Sequence, residues 1–383
     1  MSEKPIYLDY AATTPLDPEV ADAMWPWLTG EGSYGNPSSI HHYGRMARTA
    51  VDNARDEVAA LLHADYSEIT FTGSGTEADN LALIGTMRAA QPGKRHLIVS
   101  AIEHHAVLHS AMLLEREGYD VTLISPNREG LISVDSVQEA MRDETSLVSI
   151  MHANNEIGTI QNIQSLAQMV HSHGALFHTD AVQTAPLMDI DVKTLECDLI
   201  SICAHKMYGP RGVGALWIRP GTKVAPIIVG GAQEREKRAG TENVAAIVGF
   251  GKAATLTLQH REQDGVRISC LRDMLLGLLS EGIPDLQLNG HPSMRLANNL
   301  NVSVPGIEGA TLLMNLDMRG VCVSSGAACS SGSLEPSHVL KAIGLSDSLA
   351  SAGVRFSLGR QTTEEEVREA ASIFHEIVER LRH

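Results

Sequence analysis

The segment Leu199-Ile200-Ser201-Ile202-Cys203-Ala204-His205-Lys206-Met207-Tyr208-Gly209-Pro210 places a lysine directly after an apolar strand. A charged lysine at the end of a buried strand is costly, because burial favours the neutral amine. A neutral amine can act as a nucleophile and form a Schiff base with a carbonyl group. Most lysines that follow a strand are ordinary surface residues, so Lys206 alone leaves both interpretations open.

Further apolar segments lie on both sides of this strand and are separated by segments of helix length. Strands are predicted over residues 68–72, 96–100, 121–125, 147–151, 175–178, 199–202 and 214–218, and a helix over residues 78–90. Buried strands that are spaced by helices predict an α/β fold, with a parallel or mixed sheet covered on both faces.

A second, smaller unit is predicted toward the end of the chain. A long helix over about residues 244–281 leads into it, and strands are predicted over residues 299–304, 321–324 and 354–357. The final helix begins at Thr363, because Glu366 completes a capping box there, and it extends to Leu381. With 383 residues the chain is long enough for two packed domains, and we place their boundary near residue 260.

Two polar turns of the first unit contain residues that suit a phosphorylated pyridine ring. Asp180 follows the strand over residues 175–178, where its carboxylate could pair with a pyridinium nitrogen or simply cap the next helix. Thr72-Gly73-Ser74-Gly75-Thr76-Glu77 joins a strand to a helix, and its glycines would let backbone N–H groups approach an anion. This turn is neither a Walker loop nor a GxGxxG motif, so a nucleotide is not indicated. Together with Lys206, these turns suit a phosphorylated pyridine aldehyde.

A segment of small residues contains Cys329, the cysteine that is the best candidate for a reactive thiol. Ser324-Ser325-Gly326-Ala327-Ala328-Cys329-Ser330-Ser331-Gly332-Ser333 is typical of an exposed loop. Cys329 would then be an accessible thiol that can become a persulfide, although an incidental cysteine in a turn is the simpler alternative. Cys322 lies in an apolar strand and is expected to be buried and inert.

Composition argues against several classes of function. The net charge of −16 disfavours binding to nucleic acid or to anionic membranes. The five cysteines form no CxxC pair, so neither a disulfide framework nor a zinc site is expected. HExxH and EF-hand patterns are missing as well, so we expect no metal. The sequence shows no signal peptide and no apolar run of bilayer length, which predicts a cytoplasmic location.

Considered together, these motifs resemble the cysteine desulfurases of the NifS/IscS type, in the class V branch of fold-type I pyridoxal-phosphate enzymes. The resemblance runs nearly end to end, with the motifs in the same order as in that family. They are residues 7–14 (YLDYAATT), 35–39 (GNPSS) and 154–158 (NNEIG), the segments around Asp180 and Lys206, residues 238–241 (RAGT), the Cys329 segment with residues 334–337 (LEPS), and residues 355–360 (RFSLGR).

The resemblance implies a two-domain architecture. Residues 16–260 would form a large cofactor-binding domain with a mixed, mostly parallel seven-stranded sheet flanked by helices. Residues 1–15 and 261–383 would form a smaller α+β domain that carries the catalytic cysteine. The functional unit would be a homodimer.

The resemblance also implies a role for each matching residue. Lys206 would hold pyridoxal 5'-phosphate as a Schiff base and move the Cα proton, Asp180 would pair with the pyridine nitrogen, and His104 would stack on the ring and relay protons. Cys329 would attack the substrate sulfur and become a persulfide. The other implied contacts are Asn155 and Gln183 with the ring substituents, Gly75, Thr76, His205 and Cys203 with the phosphate, the partner subunit's Thr241 at the same phosphate, and Arg355 with Asn155 at the substrate carboxylate.

This activity would release L-alanine from L-cysteine and pass the sulfur to an acceptor protein, for which an iron–sulfur scaffold is one candidate and a thiolation pathway another. Three alternatives are a selenocysteine lyase, an aminotransferase, and a non-catalytic cofactor-binding partner protein. The small-residue segment around Cys329 favours sulfur transfer from cysteine. Two positions depart from the family pattern: Cys203 stands where many relatives have a phosphate-binding serine, and Gly75 stands where alanine is common.

Overall fold

The structure, a computed structural model, describes residues 4–31, 34–325 and 336–383. Cys329 lies outside these described residues. Within the described ranges, no helix combines the length and the apolar character that crossing a membrane requires.

The strands and helices alternate along most of the chain. The strands are β1 (Ile6–Tyr7), β2 (Ile69–Thr72), β3 (His96–Ser100), β4 (Asp120–Ile124), β5 (Thr145–Ser149), β6 (Leu176–Asp180), β7 (Leu199–Cys203), β8 (Gly214–Ile218), β9 (Gln287–Asn289), β10 (Asn299–Ser303), β11 (Val321–Cys322) and β12 (Gly353–Ser357). The α-helices are α1 (Pro18–Thr29), α2 (His42–Leu61), α3 (Gly75–Asn80), α4 (Thr86–Ala89), α5 (His105–Arg116), α6 (Val134–Ala140), α7 (Ile163–Ser172), α8 (Val192–Leu195), α9 (Val244–Gly282), α10 (Gly309–Met318), α11 (His338–Ala342), α12 (Asp347–Ser351) and α13 (Glu364–Arg382).

The main sheet has seven strands in the order β2-β8-β7-β6-β5-β3-β4. Strand β8 runs antiparallel to both of its neighbours, whereas the other neighbouring pairs are parallel. This confirms the predicted mixed, mostly parallel seven-stranded sheet. Because the strands β3, β5, β6 and β7 all point the same way, the residues that follow them meet at one edge of the sheet.

Two smaller sheets lie outside the main one. Strand β10 pairs antiparallel with both β9 and β12, and β1 pairs in parallel with β11. The predicted strand over residues 321–324 is therefore shorter than expected. Only its first two residues pair with β1, and Ser324 makes an isolated bridge to Arg355 instead. Cys322 is half-buried rather than buried, and burial raises the pKa of its thiol.

Helix α9 contributes to two separate apolar cores. Phe250 packs in the core of the main sheet with Phe177, whereas Leu275 packs in a second core with Leu8 and Phe356. The predicted boundary near residue 260 falls inside this continuous helix. The assignment of two domains stays a prediction.

The helix that follows β2 departs from the predicted single helix over residues 78–90. It begins at Gly75, and a π-helical turn over Leu81–Gly85 separates α3 from α4. At Gly85, a Cβ atom would lie 2.6 Å from the carbonyl oxygen of Ala225, so only glycine fits this close approach. The last helix agrees with the prediction, because Thr363 and Glu366 form the expected capping box.

Candidate active site

A cavity of about 320 Å³ lies at the edge of the sheet where β2, β3, β5, β6 and β7 end. Its wall contains Gly75, Thr76, His104, Asn155, Asp180, Gln183, Cys203, His205, Lys206 and Arg355. Ten of the twelve residues to which the resemblance assigned a role in the site are thus brought together. Of the other two, Thr241 is exposed and does not line this cavity, and Cys329 lies outside the described residues.

Lys206 reaches the cavity from a 3₁₀ turn, Ala204–Lys206, that follows β7 directly. Its side chain is half-buried, and its Nζ donates hydrogen bonds to the carbonyl oxygens of Ala11, at 2.5 Å, and Ala12, at 2.6 Å. Gln183 donates to the same carbonyl of Ala11 at 3.1 Å. The chain segment just after β1 therefore forms part of the cavity wall.

Asp180 is buried at the end of β6, and one of its carboxylate oxygens accepts the backbone N–H of Val182 at 2.8 Å. Burial raises the pKa of this carboxyl to about 6, although the bond from Val182 and the charge of Lys206 oppose that shift. No helix begins at this point of the described chain, because residues 182–187 form turns. The simpler interpretation of Asp180 as a helix cap is therefore wrong.

The glycine-rich turn brings backbone close to the cavity. At Gly75 a Cβ atom would lie 2.9 Å from Cγ2 of Val182 and 3.5 Å from Cβ of Cys203, so a side chain here would have to displace its neighbours. Ser74 caps α3 by accepting the N–H of Glu77 at 3.1 Å. Cys203 is fully enclosed, and burial raises the pKa of its thiol to about 12. Cys203 therefore stays a neutral thiol, and it would not repel an anion that binds at the glycine-rich turn.

Two histidines of the cavity are neutral because of their surroundings. His104 caps α5, and its Nδ1 accepts the backbone N–H of Ala106 at 3.1 Å, which leaves the ring proton on Nε2. Burial, together with the charge of Lys206, lowers the pKa of His104 to about 4. Burial and the same lysine also lower the pKa of His205 to about 4. Both rings can accept or pass a proton without carrying a permanent charge.

Arg355 points from the middle of β12 into the cavity and is almost completely buried. Its guanidinium donates to a carboxylate oxygen of Asp9 at 2.8 Å and to the carbonyl oxygen of Asn155 at 2.9 Å. A buried cation of this kind is a suitable partner for a carboxylate.

Two buried carboxyl groups of the cavity, those of Asp79 and Glu103, were given no role in the sequence analysis. Asp79 lines the cavity and is buried, and burial together with Asp180 raises its pKa well above the ordinary value. Asp79 follows Gly75 by four residues on one helix, so this spacing was a signal that could have found it. Burial raises the pKa of Glu103 to about 8, and one of its oxygens accepts from Ser100 and from the N–H of Met151.

The cavity therefore combines an amine, a buried carboxylate, a glycine turn and a buried guanidinium. A family model for aminotransferase class-V matches residues 6–369 of this chain. The chain belongs to the aminotransferase class-V family.

Relatives of this class-V chain cover it almost completely. A protein named cysteine desulfurase IscS from Dictyoglomus turgidum is 48% identical over 380 residues, which are 99% of this chain and 96% of that protein. A solved structure of a NifS-like protein has a TM-score of 0.92 and 34% identity, covering 98% of this chain and 100% of its own. The structure of SspA in complex with cysteine has a TM-score of 0.79 and 36% identity, covering 93% and 99%. The resemblance to the NifS/IscS group is thus confirmed.

This class-V enzyme depends on pyridoxal phosphate, and the side chains around the cavity fit that cofactor. The Lys206 amine matches an aldehyde, and the buried Asp180 carboxyl matches a basic ring nitrogen. The turn at Gly75 has no room for a side chain, which matches the close approach of a phosphate to backbone N–H groups. These three features lie in the wall of one cavity.

Proposed function

We propose that the protein is a cysteine desulfurase, which takes sulfur from L-cysteine, releases L-alanine and leaves a persulfide on Cys329. The observation that carries this proposal is the presence of Lys206, Asp180 and Arg355 in the wall of one cavity. The full-length similarity to the cysteine desulfurase IscS of Dictyoglomus turgidum, and to SspA, which was solved in complex with cysteine, supports it.

The cofactor would be held at three points. Lys206 would bind its aldehyde carbon, Asp180 would keep its ring nitrogen protonated, and His104 would lie against the ring. Asn155 and Gln183 would contact the ring substituents, and the phosphate would be held by Gly75, Thr76, Cys203 and His205. When bound, the cofactor supplies an electron sink that lowers the barrier for breaking bonds at the substrate Cα and Cβ.

The protein's own groups then handle the substrate. Arg355 holds the carboxylate of L-cysteine, and the carbonyl oxygen of Asn155 accepts a hydrogen bond from the guanidinium and helps to orient it. Once the amine of the substrate has replaced the amine of Lys206 on the cofactor, the freed Lys206 amine would take the proton from Cα. His104 is neutral at the working pH and passes a proton through Nε2, because its Nδ1 already accepts the backbone N–H of Ala106.

Cys329 would act as the nucleophile for sulfur. Its thiolate bonds to the substrate sulfur while the carbon–sulfur bond breaks, so that the electron pair of that bond leaves with carbon and a proton completes L-alanine. The described residues on both sides of Cys329 support this role. Ser324 bonds to the backbone of Arg355, and Ser337 donates to Glu156 at 2.5 Å; Arg355 and Glu156 both line the cavity.

The partners follow from the same proposal. We infer a homodimer in which the exposed Thr241 reaches the phosphate site of the partner subunit. The persulfide sulfur would go to an acceptor protein of an iron–sulfur or thiolation pathway. A cytoplasmic location stays a prediction from the sequence.

The proposal is tested by measuring sulfide and L-alanine released from L-cysteine with a reductant, for the wild type, Cys329→Ala and Cys322→Ala. We expect equal amounts of both products from the wild type and from Cys322→Ala. Cys329→Ala should keep the yellow absorption of the bound cofactor and lose the activity. A Cys329→Ala variant that still releases sulfide from L-cysteine would contradict the assignment, and a comparison with L-selenocysteine would then test selenocysteine lyase activity.

A further inference from the structure

The guanidinium assigned to the substrate already has a carboxylate partner within the chain. Asp9 lies 2.8 Å from Arg355, whose side chain is only 2% exposed, whereas the side chain of Asp9 is 20% exposed. The carboxylate of Asp9 thus already pairs with the Arg355 guanidinium, which is the group that the carboxylate of a substrate would need.

We propose that Asp9 sets the affinity of the site for its substrate: its carboxylate shares Arg355 with the carboxylate of the amino-acid substrate and thereby weakens the binding of that substrate. This inference rests on the proposed function only for the identity of the substrate. The chemistry that it describes applies to any small monocarboxylate that enters the cavity.

The position of Asp9 is fixed by its backbone. Asp9 bridges to Ser357 at the end of β12, two residues beyond Arg355, and its carbonyl accepts the hydroxyl of Tyr7 at 3.1 Å. The backbone of Asp9 is therefore held next to β12, within reach of the guanidinium. We expect its carboxylate to stay beside an incoming carboxylate, because Arg355 remains its closest cation.

A guanidinium has five N–H donors in one plane, so it can bind two carboxylates at once. The two carboxylates then repel each other across the guanidinium, and this repulsion weakens the binding of the second. Glu156 also faces Arg355, but burial raises the pKa of its carboxyl and its oxygen accepts from Ser337, so it competes less for the cation. Asp9 is thus the acidic group on which the affinity depends.

The ion pair between Asp9 and Arg355 also stabilises the folded protein when no substrate is bound. A buried cation without a counter-charge is strongly destabilising, and Asp9 supplies that charge. Removing the charge of Asp9 should therefore lower stability and raise the affinity for small carboxylates at the same time. This opposite pair of effects distinguishes the proposed role from simple structural support.

The test compares Asp9→Asn with the wild-type holoenzyme. L-alanine binding, followed by the visible absorption of the cofactor, should tighten about tenfold in Asp9→Asn, the effect of losing one like charge at this range. The midpoint of thermal unfolding should fall in Asp9→Asn, and added acetate should raise it more than it raises that of the wild type. Asp9→Glu keeps the charge and should retain the wild-type affinity for L-alanine.

Asp17→Asn is the matched control, because the side chain of Asp17 has an exposure similar to that of Asp9 and pairs at 3.1 Å with Arg360, which, unlike Arg355, does not line the cavity. It should bind L-alanine and respond to acetate as the wild type does. If Asp9→Asn binds L-alanine and acetate no more tightly than the wild type, the inference is overturned. A wild type that releases no sulfide would instead reject the proposed function, and the acetate response would still decide the role of Asp9.

Discussion

Glu77 and Arg238 form an ion pair of 2.8 Å that joins the glycine-rich turn to the loop containing Thr241. Glu77 also accepts the backbone N–H of Gly73 at 2.8 Å, so one carboxylate fixes both segments. The turn that would surround the phosphate is therefore held by a residue from a distant part of the chain.

Arg238→Gln should weaken the binding of pyridoxal phosphate about fivefold, because a partly exposed ion pair contributes about 1 kcal/mol. The measurement is a titration of the cofactor-free protein, followed by visible absorption. Arg368→Gln breaks an exposed ion pair with Glu364 on α13 and should leave the affinity unchanged. Equal affinities in both variants would show that the Glu77 contact does not support the turn.

Asp180→Asn should lower the rate of sulfide release at least about a hundredfold, since an amide cannot stabilise a protonated ring nitrogen. The cofactor should still bind, but with a changed absorption spectrum, because the covalent contact with Lys206 remains. Asp135→Asn, an exposed substitution in the first turn of α6, serves as the control. Undiminished activity in Asp180→Asn would remove Asp180 from the site.

Glu103→Gln should change how stability depends on pH. The pKa of Glu103 is raised in the folded state, from 4.5 to about 8, so the folded protein binds more protons than the unfolded chain in that window. The stability from this group is therefore present at low pH and is lost as the pH rises toward 8. A glutamine cannot ionise, but it can still accept the bonds from Ser100 and Met151.

As the pH rises from 5 to 8, the wild type should therefore lose stability relative to Glu103→Gln. The difference between their free energies of unfolding should grow by up to about 1.4 kcal/mol per pH unit. Urea unfolding at several pH values measures this shift. Glu115→Gln, on the exposed side of α5, should show no such trend. A difference between Glu103→Gln and the wild type that is independent of pH would contradict the raised pKa.

Gly75→Ala should destabilise the protein by about 1 kcal/mol, because the new methyl group would lie 2.9 Å from Cγ2 of Val182. Val182→Ala removes that atom. The double variant should therefore be more stable than the sum of the two single effects predicts, as a double-mutant cycle of unfolding free energies would show. Additive effects would mean that the backbone, and not Val182, limits the space at Gly75.

The parts of the fold that follow from local patterns were predictable. Apolar runs located the strands of the main sheet, and the capping box located the start of α13, because both signals depend on neighbouring residues. The antiparallel direction of β8 was not predicted, although the connection from β7 contains only one 3₁₀ turn and is shorter than the crossover that parallel strands need.

Other features depend on contacts between distant segments and gave no local signal. Glu234, Arg235 and Glu236 all have positive φ angles, which non-glycine residues rarely adopt. A buried ion pair between Arg55 and Glu234, with distances of 2.6 and 2.7 Å, holds this run in place. The pairing of Asp9 with Arg355 was equally hidden, because each residue alone has many possible partners.

The cavity was predictable only in part, because some of its wall depends on contacts between distant segments of the chain. Lys206 and Asp180 follow apolar strands, so the sheet edge could be inferred from the sequence. Ala11 and Ala12 bind the Lys206 amine through their backbone carbonyl oxygens, so the identity of their side chains gave no signal for this contact. The burial of Asp79 depends on the packing of α3 against the sheet, although its spacing from Gly75 hinted at it.

Asp9 and Arg355 are separated by 346 positions in the chain, and β1 pairs with β11 near the opposite terminus. During synthesis the first residues therefore leave the ribosome long before their partners exist. The main sheet can form early, but Asp9, Ala11 and Ala12 cannot take their places until β11 and β12 have been made. We expect nascent chains that stop before β12 to be unable to assemble the pocket, so that activity begins only after β12 has been made.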